Sequence, residues 1–320
     1  MPSTNPELSI VVPVYRSEPI LPELVRQVDA AMRDAGMEGR FELILVNDAS
    51  PDDSWGAIRA AAAQYAFVRG VSLMRNFGQH NATMAGLHRA RGQIIVIMDD
   101  DLQHPPQTIM ALVAAIRAGN DVCYTSYLRR KHATWKRLGS WFNDRVASFL
   151  LKKPKGLYLS SYKAMHRRVL EEIVRYDGPY VYLDGLILDV TRRITMVPIA
   201  HQSRHAGEGN YGLRRLISLW LRMATSFSVV PLRVASVAGL ILACASGGLA
   251  LAVIAQKLLH PETPAGWTSL VTVVLFLGSV QLLCLGIIGE YLGRAYLKLN
   301  RKPQFAVREQ TDAGSSAPAP

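Results

Sequence analysis

The acidic run Asp99-Asp100-Asp101, with Gln103 close behind, is the part of the sequence with the clearest capacity for chemistry. It directly follows apolar residues in the segment IVIMDDDLQHPP. Adjacent carboxylates repel one another unless a cation lies among them, and Mg²⁺ and Mn²⁺ prefer carboxylate and amide oxygens. Along an extended backbone Asp99, Asp101 and Gln103 face one side and Asp100 faces the other. We predict that Asp99, Asp101 and Gln103 hold a metal ion. The alternative is a solvated acidic turn before a helix.

A second carboxylate, Asp48, follows the apolar segment FELILV. In that position it can accept hydrogen bonds from the base or ribose of a nucleotide. The alternative is that it caps the helix predicted to begin near Pro51, although Ser50 or Asp52 would serve that purpose equally well. Because Asp48 and Asp99 both follow strands, we favour the nucleotide-binding interpretation.

Two further polar segments contain glycines. In RNFGQHNATMAGL, residues 75–87, Gly78 suits a tight turn and Asn81 is a candidate helix cap, while His80 receives no chemical role. In RHAGEGNY, residues 204–211, Arg204 precedes two glycines. A guanidinium group binds phosphate bidentately, so this loop is predicted to close over a phosphate. A mobile loop with no such role has the same composition.

Strands and helices alternate in the elements that must position these residues. Such alternation predicts an α/β fold with a mostly parallel sheet covered on both faces. Ligands of such sheets bind at the carboxyl ends of the strands, so Tyr15, Asp48 and Asp99 are expected to share one crevice. The predicted strands are Leu8–Val14, Phe41–Val46, Phe67–Met74, Gln93–Met98 and Asp121–Thr125, and the predicted helices are Ile20–Ala35, 51–65, Asn81–Ala90 and Pro105–Ala118.

Two long stretches of the sequence are free of charge. Neither residues 234–256 nor residues 265–289 contain a charged side chain, and each reaches the roughly 20 apolar residues that cross a bilayer. Two buried core helices are the alternative. The apolar run near the amino terminus is too short and lacks the basic start of a signal peptide. Basic residues flank both spans, which predicts that both termini are cytoplasmic: Arg214, Arg215, Arg222, Arg233, Arg294, Lys298, Arg301 and Lys302.

The formal net charge of +11 is concentrated between Arg129 and Lys155. Nucleic acid and anionic lipid are both possible partners for such a block, and the two spans favour lipid. Residues 134–151 form a basic amphipathic pattern that suits packing on the domain and the membrane interface equally, whereas Gly212–Phe227 favours the membrane surface. Three cysteines form no disulfide or zinc pattern.

Taken together, these segments resemble glycosyltransferase family 2, and within it the branch that acts on polyprenyl phosphates. The resemblance extends from Leu8 to Pro303, and its most specific parts are VVPVY, VNDASPDDS, RNFGQHNATMAG, MDDDLQHPP and GIIGEYLGR. It implies a GT-A catalytic domain, which is Rossmann-like with a mostly parallel sheet. Amphipathic interfacial helices and two transmembrane helices are expected to follow that domain.

The resemblance also implies a division of the chain. Residues 1–205 would form the cytoplasmic catalytic domain, with residues 134–151 as an amphipathic helix within it. Residues 206–230 would hold the closing loop and a juxtamembrane helix, and residues 231–292 a two-span hairpin. Residues 293–320 would form a cytoplasmic tail whose end, from Thr311, is disordered.

The site residues that the resemblance implies fall into four groups. The catalytic residues are Asp99, Asp101 and Arg204, and the metal ligands are Asp99, Asp101 and Gln103, with Mg²⁺ or Mn²⁺ as the cofactor. The donor-binding residues are Pro13, Tyr15, Glu18, Val46, Asp48, Asp100 and Asn210. The residues for the acceptor phosphate are Arg129, Arg130 and Lys163.

This chain departs from the family's pattern near the sugar and the acceptor. The family usually has Asn-Glu after Tyr15, where this chain has Arg16-Ser17, which moves the expected acidic contact to Glu18. The lysine of the family's closing loop is Asn210 here. An acceptor-side arginine is replaced by Tyr127, and the segment from residue 157 onward also differs.

The implied reaction is an inverting, metal-dependent transfer of a sugar from a nucleotide-sugar to undecaprenyl phosphate. It would take place at the cytoplasmic face of a bacterial inner membrane, with the lipid bilayer as a partner, no nucleic acid and a possible homo-oligomer. One alternative is transfer to a hydroxyl of another membrane glycolipid, for which Asp184 or Asp189 is a candidate base. A non-catalytic, nucleotide-binding membrane scaffold is the other.

Overall fold

The computed structural model of the chain describes residues 6–127, 154, 156–199, 266–300 and 302–311, and isolated helical positions between 237 and 259. The strands are β1 (Leu8–Val14), β2 (Phe41–Asn47), β3 (Val68–Leu73), β4 (Ile94–Ile97), β5 (Val122–Tyr127), β6 (Lys163–His166), β7 (Ile194–Ile199) and β8 (Val307–Gln310). The α-helices are α1 (Leu21–Asp34), α2 (Ser54–Gln64), α3 (Gln79–Leu87), α4 (Ile109–Arg117), α5 (Arg167–Ile173), α6 (Leu183–Val190) and α7 (Trp267–Leu299). A 3₁₀ turn, Pro106–Thr108, precedes α4.

All eight described strands belong to one sheet, in the order β7-β5-β6-β4-β1-β2-β3-β8. Strands β6 and β8 run antiparallel to their neighbours, and the other neighbouring pairs are parallel. Strand β1 lies between β2 and β4, so the chain winds to one side from β1 to β3 and then returns to the other side at β4. This reversal opens a crevice beyond the carboxyl ends of β1 and β4, where ligands bind in sheets of this kind.

The predicted α/β class and the five predicted strands are confirmed, with ends shifted by one or two residues. The start of α3 was predicted wrongly, at Asn81. The helix begins at Gln79 because Gly78, the residue before it, has a φ of +87°. This non-helical conformation turns the backbone at Gly78, and the helix starts at the next residue. Strands β6, β7 and β8 and helices α5 and α6 were not predicted.

Helix α7 is the described helix that is long and apolar enough to cross a membrane, within Phe276–Leu297. The first predicted span, residues 234–256, lies largely outside the described residues, so two transmembrane helices are not confirmed.

The chain divides into two compact units, and residues 301–320 belong with residues 1–210 rather than with the unit formed by residues 211–300. The described residues 302–311 therefore belong with the unit that contains the sheet, and the predicted disordered end after Thr311 lies outside the described residues.

A buried carboxylate stabilises the sheet at the end opposite the crevice. Glu42 in β2 is 2% exposed, and it accepts hydrogen bonds from Ser9 Oγ at 2.7 Å and from the backbone N–H of Arg91 at 2.8 Å. It also pairs with the guanidinium groups of Arg69 at 3.1 Å and Arg91 at 2.9 Å. Removing one partner of a buried ion pair leaves the other charge without compensation.

We expect Glu42→Ala to lower the free energy of unfolding by about 3 kcal/mol, the cost of breaking a buried ion pair. Urea unfolding of the purified protein measures it. Glu38→Ala is the matched control, because Glu38 is 71% exposed in its side chain and 3.8 Å from Arg33. The control should cost less than about 1 kcal/mol. Equal losses in the two variants would contradict this account of Glu42.

Candidate active site

One loop connects the two carboxylates that the sequence placed at the carboxyl ends of β2 and β4. The backbone N–H groups of Phe77 and Gly78 donate to the two oxygens of Asp48, at 2.7 and 2.8 Å. The side chain of the next residue, Gln79, donates to Oδ1 of Asp99 at 2.6 Å. The loop after β3 therefore fixes Asp48 and Asp99 relative to each other, across the crevice.

Asp48 does not cap helix α2. The cap is Asp53, whose Oδ1 accepts a hydrogen bond from the backbone N–H of Gly56 at 3.1 Å. Burial raises the pKa of Asp48, while the N–H groups of Phe77 and Gly78 lower it. A buried carboxylate that is fixed by backbone donors keeps its orientation, which suits a group that must recognise a ligand.

Asp99 is held on both carboxylate oxygens. Its Oδ2 accepts a hydrogen bond from Ser161 Oγ at 2.5 Å, opposite the Gln79 contact. Its backbone N–H donates to Nδ1 of His104 at 3.1 Å, and the His104 ring stacks on Tyr162 with 4.7 Å between ring centroids. The start of the acidic run is thus fixed in position by three separate elements.

Asp100 points away from Asp99 and towards the end of β1. Its Oδ2 accepts hydrogen bonds from the backbone N–H of Tyr15 at 3.0 Å and from Ser17 Oγ at 2.5 Å. Burial raises the pKa of Asp100, and the Ser17 hydroxyl lowers it. The contact closes the crevice at the switch point between β1 and β4. Arg16, between these two residues, lies with its guanidinium 5.4 Å from the centre of the Tyr15 ring.

Asp101 and Gln103 form a short turn, in which Oδ1 of Asp101 accepts from the backbone N–H of Gln103 at 3.1 Å. The oxygens of Asp99, Asp101 and Gln103 are hard donors that fit a cation such as Mg²⁺ or Mn²⁺. Within the described residues, no three His, Cys, Asp or Glu side chains are grouped to hold a metal ion. A cation here would therefore take its remaining ligands from phosphates and water, as Mg²⁺ commonly does.

Backbone strain is concentrated around this crevice. The described residues other than glycine with a positive φ are Arg16 (60°), Ala49 (51°) and Leu102 (59°). Each comes shortly after the carboxyl end of β1, β2 or β4. Left-handed backbone at a residue with a side chain costs of order 1–3 kcal/mol and accumulates at ligand sites.

A buried charge pair borders the crevice beside β4. Lys163 in β6 is 3% exposed and lies opposite Ile97 in the sheet. Its Nζ pairs with Oδ1 of Asp184, which also accepts a hydrogen bond from the Tyr124 hydroxyl at 2.9 Å. Burial, with Asp184 next, raises the pKa of Tyr124 well above its ordinary value, so this phenol stays a hydrogen-bond donor.

Two aromatic rings lie near this pair. His80 and Tyr182 meet edge to face, with 5.4 Å between ring centroids. Burial lowers the pKa of His80, although Asp184 and Asp99 oppose that effect. The net effect lowers the pKa of His80, which favours the neutral imidazole. It contributes shape and polarity to the crevice rather than charge.

The family of the chain follows from its similarity to known proteins. The model of glycosyl transferase family 2 matches residues 9–174, which contain Asp48, the acidic run and the loop that joins them. The chain belongs to glycosyltransferase family 2. A second family model, the GtrB C-terminal hairpin, matches residues 230–295 of this glycosyltransferase.

Curated relatives match the glycosyltransferase over more than nine tenths of its length. The undecaprenyl-phosphate 4-deoxy-4-formamido-L-arabinose transferase of Pseudomonas fluorescens is 33% identical over 98% of this chain and 93% of its own. The enzyme of that name from Klebsiella pneumoniae is 31% identical over 94% of this chain and 93% of its own. These matches place the glycosyltransferase in the polyprenyl-phosphate branch. Glucosyl-3-phosphoglycerate synthase from Mycobacterium tuberculosis is similar in structure, with a TM-score of 0.49 and 18% identity over 70% of this chain and 79% of that one.

The other predicted site residues of the glycosyltransferase have the following surroundings. Pro13 and Val46 lie opposite each other in β1 and β2 and are buried, so a nucleotide would contact their backbone. Glu18 accepts from the backbone N–H of Asp53 at 3.0 Å, before α2. The predictions that lie outside the described residues concern Arg129, Arg130, Arg204, Asn210 and the helices at 134–151 and 212–227.

Sequence reasoning missed three residues that orient the acidic run, namely Ser17, Gln79 and Ser161. Ser17 was visible only as a departure from the family's pattern, and Gln79 lay in a motif whose spacing predicted a turn and a cap. Ser161 reaches Asp99 because β6 inserts beside β4. The signal available for Gln79 was its position. It comes directly after a turn glycine, close to the edge of the sheet that carries Asp99.

Proposed function

We propose that this glycosyltransferase transfers a sugar from a nucleotide-sugar to a polyprenyl phosphate at the membrane surface. The observation that carries the proposal is the loop Phe77–Gln79, which holds Asp48 and Asp99 across the switch point of the sheet. Asp48 and Asp100 lie on the donor side of this crevice, and Asp101 and Gln103 follow Asp99 on the side that would face a diphosphate. The names of the full-length relatives support the acceptor.

The reaction that fits this crevice is a single displacement with inversion at the anomeric carbon. An anionic oxygen of the lipid phosphate attacks that carbon, and a new carbon–oxygen bond forms. The bond from the anomeric carbon to the diphosphate breaks, and the diphosphate leaves with the electron pair. No proton needs to move, so the protein contributes orientation and charge stabilisation.

Asp99, Asp101 and Gln103 would hold the divalent cation. Bound there, the cation neutralises the charge that develops on the leaving diphosphate. Gln79 and Ser161 keep the Asp99 carboxylate in one orientation. Tyr15 and Ser17 hold the Asp100 carboxylate towards the end of β1, so Asp100 would not be a ligand of that cation.

The state of Asp184 favours a phosphate acceptor over a hydroxyl acceptor. A hydroxyl needs a general base with a free carboxylate oxygen that reaches the substrate. Oδ1 of Asp184 is engaged by Lys163 and Tyr124, and the residue is only 8% exposed, so a substrate hydroxyl has little access to its carboxylate. An acceptor that arrives already ionised needs no such base.

The connections of the sheet support the predicted membrane hairpin. Strand β7 ends at Ile199 and β8 begins at Val307, and both lie in the catalytic sheet. The chain between them therefore leaves the catalytic unit and returns to it. If α7 crosses the bilayer once, a second crossing is required, and residues 234–256 are long and apolar enough to provide it. The match to a C-terminal hairpin family over residues 230–295 supports the same topology.

An assay with purified protein tests the proposed function. Undecaprenyl phosphate, Mn²⁺ and a panel of radiolabelled nucleotide-sugars should yield a labelled lipid with at least one donor. Removal of divalent cations with EDTA should abolish the product, and added Mn²⁺ or Mg²⁺ should restore it, because the leaving diphosphate then regains its counter-charge. Full activity in EDTA would contradict the metal dependence, and absence of product with every donor would contradict the reaction.

A further inference from the structure

Residues 304–311, within the last described range, follow α7 in the chain and add to the sheet that carries the crevice. We call these residues the C-terminal segment. It contains β8, which pairs antiparallel with the edge strand β3, with Val71 opposite Gln310 and Leu73 opposite Val307. Nothing in the site described above requires this strand, because the parallel sheet already carries the acidic residues.

The far half of the C-terminal segment is attached to the body of the domain. Thr311 Oγ1 accepts from the backbone N–H of Gly70 at 2.7 Å, and Glu309 accepts from Trp55 Nε1 at 2.9 Å. A side chain at Gly70 would collide with Ile58 at 2.5 Å, so the glycine permits close packing there. These contacts fix the strand without touching the crevice.

The near half of the segment holds the start of the loop that organises the crevice. The backbone N–H of Met74 donates to the carbonyl of Ala306 at 2.9 Å, and the carbonyl of Met74 accepts from Arg308 Nη2 at 3.0 Å. Both polar backbone groups of Met74 are therefore bonded to the C-terminal segment. The register of the β3–β8 pair shifts between Ser72 and Leu73, immediately before this clamp.

The loop Met74–Gln79, which we call the donor loop, is thus fixed at both ends. At its start Met74 is bonded to Ala306 and Arg308. At its end Phe77, Gly78 and Gln79 are bonded to Asp48 and Asp99. Between them the Arg75 guanidinium lies 4.1 Å from the centre of the Phe77 ring, which stiffens the middle of the loop.

We propose that the C-terminal segment is a positioning element for the donor loop, so that binding of the nucleotide-sugar depends on the strand that follows the membrane helix. The inference rests on the proposed function in that it takes the ligand of Asp48 to be the donor. Arg308 is the positioning residue. Because the segment continues directly from α7, the membrane region and the donor pocket share a short covalent connection.

Steady-state kinetics of Arg308→Ala in the full-length protein test the proposal. Arg308 is exposed, so the substitution leaves the core intact. We expect the KM for the nucleotide-sugar to rise about three- to ten-fold, as loss of one hydrogen bond allows. The kcat and the KM for undecaprenyl phosphate should stay unchanged, because the loop binds donor and not acceptor. Arg308→Lys should restore part of the donor affinity, since lysine also donates.

Gln310→Ala is the matched control. Gln310 is also exposed in β8, and its side chain accepts a hydrogen bond from Arg89 at 3.2 Å, a residue that lies outside the donor loop. Its donor KM should equal that of the unaltered protein. An unchanged donor KM in Arg308→Ala, an equal rise in Gln310→Ala, or a fall in kcat alone would overturn the proposal.

Hydrogen–deuterium exchange separates this inference from the proposed reaction. In Arg308→Ala the backbone amides of residues 74–79 should exchange faster than in the unaltered protein, whereas Gln310→Ala should leave them unchanged. This readout needs neither donor nor acceptor. If the protein transfers no sugar, the reaction fails while the exchange data still decide the role of the segment; unaltered exchange in Arg308→Ala would overturn that role.

Discussion

Replacing Asp101 with asparagine should lower the rate of sugar transfer by about 1,000-fold, because the cation proposed to neutralise the leaving diphosphate would lose a charged ligand. The fold should survive. An asparagine oxygen can still accept the hydrogen bond that Asp101 Oδ1 receives from the backbone N–H of Gln103. Initial rates at saturating donor and Mn²⁺ measure the effect.

Asp34→Asn is the control for this experiment, since Asp34 is an exposed aspartate at the end of α1. It removes the same charge from the domain and should leave the rate unchanged. Nucleotide binding gives a second readout, because Mn²⁺ should strengthen binding in the unaltered protein far more than in Asp101→Asn. A rate within about ten-fold of normal in Asp101→Asn would mean that this carboxylate does not hold the cation.

Replacing Lys163 with methionine should lower the free energy of unfolding by about 3–5 kcal/mol, the usual cost of leaving one partner of a buried ion pair unpaired. Asp184, which remains, is 8% exposed and keeps only the Tyr124 hydroxyl of its two described partners. Urea unfolding measures the loss. The same change at exposed Lys302 should have no measurable effect.

The double variant Lys163→Met with Asp184→Asn decides what Lys163 does. The amide has no charge to compensate and can still accept from Tyr124, so most of the lost stability should return. Any rise of the KM for undecaprenyl phosphate in Lys163→Met should come from the lost stability and disappear in the double variant, since Lys163 Nζ is buried against Asp184. An acceptor KM that stays raised in the stable double variant would support the acceptor-phosphate role predicted for Lys163 from the sequence.

The central sheet was predictable because its strands are short apolar runs that each end in polar residues. The segments LSIVVPV and FELILV are buried along their whole length, and that pattern indicates a parallel strand covered on both faces. The same pattern placed Tyr15, Asp48 and Asp99 at one edge. The direction of Asp100 also followed from the alternation of side chains, because its carboxylate contacts Tyr15 and Ser17 after β1 rather than Gln79 and Ser161, which contact Asp99.

The antiparallel strands were not predictable in the same way. Strand β6 has the sequence KAMH, and its lysine is buried only because Asp184 compensates its charge from a helix that comes later in the chain. Strand β8 has the sequence VREQ and lies at the edge of the sheet, where polar side chains face solvent. Neither segment shows an apolar run. Their positions depend on pairings across long sequence separations, which local patterns do not encode.

The chemical structure of the lipid product tests the central claim most directly. After incubation with undecaprenyl phosphate, Mn²⁺ and an accepted donor, mass spectrometry and mild acid treatment of the lipid identify the bond to the sugar. The account predicts a single sugar joined through a phosphodiester to the undecaprenyl chain, with no product from undecaprenol. A sugar attached to a lipid hydroxyl, formed equally well with undecaprenol, would contradict it.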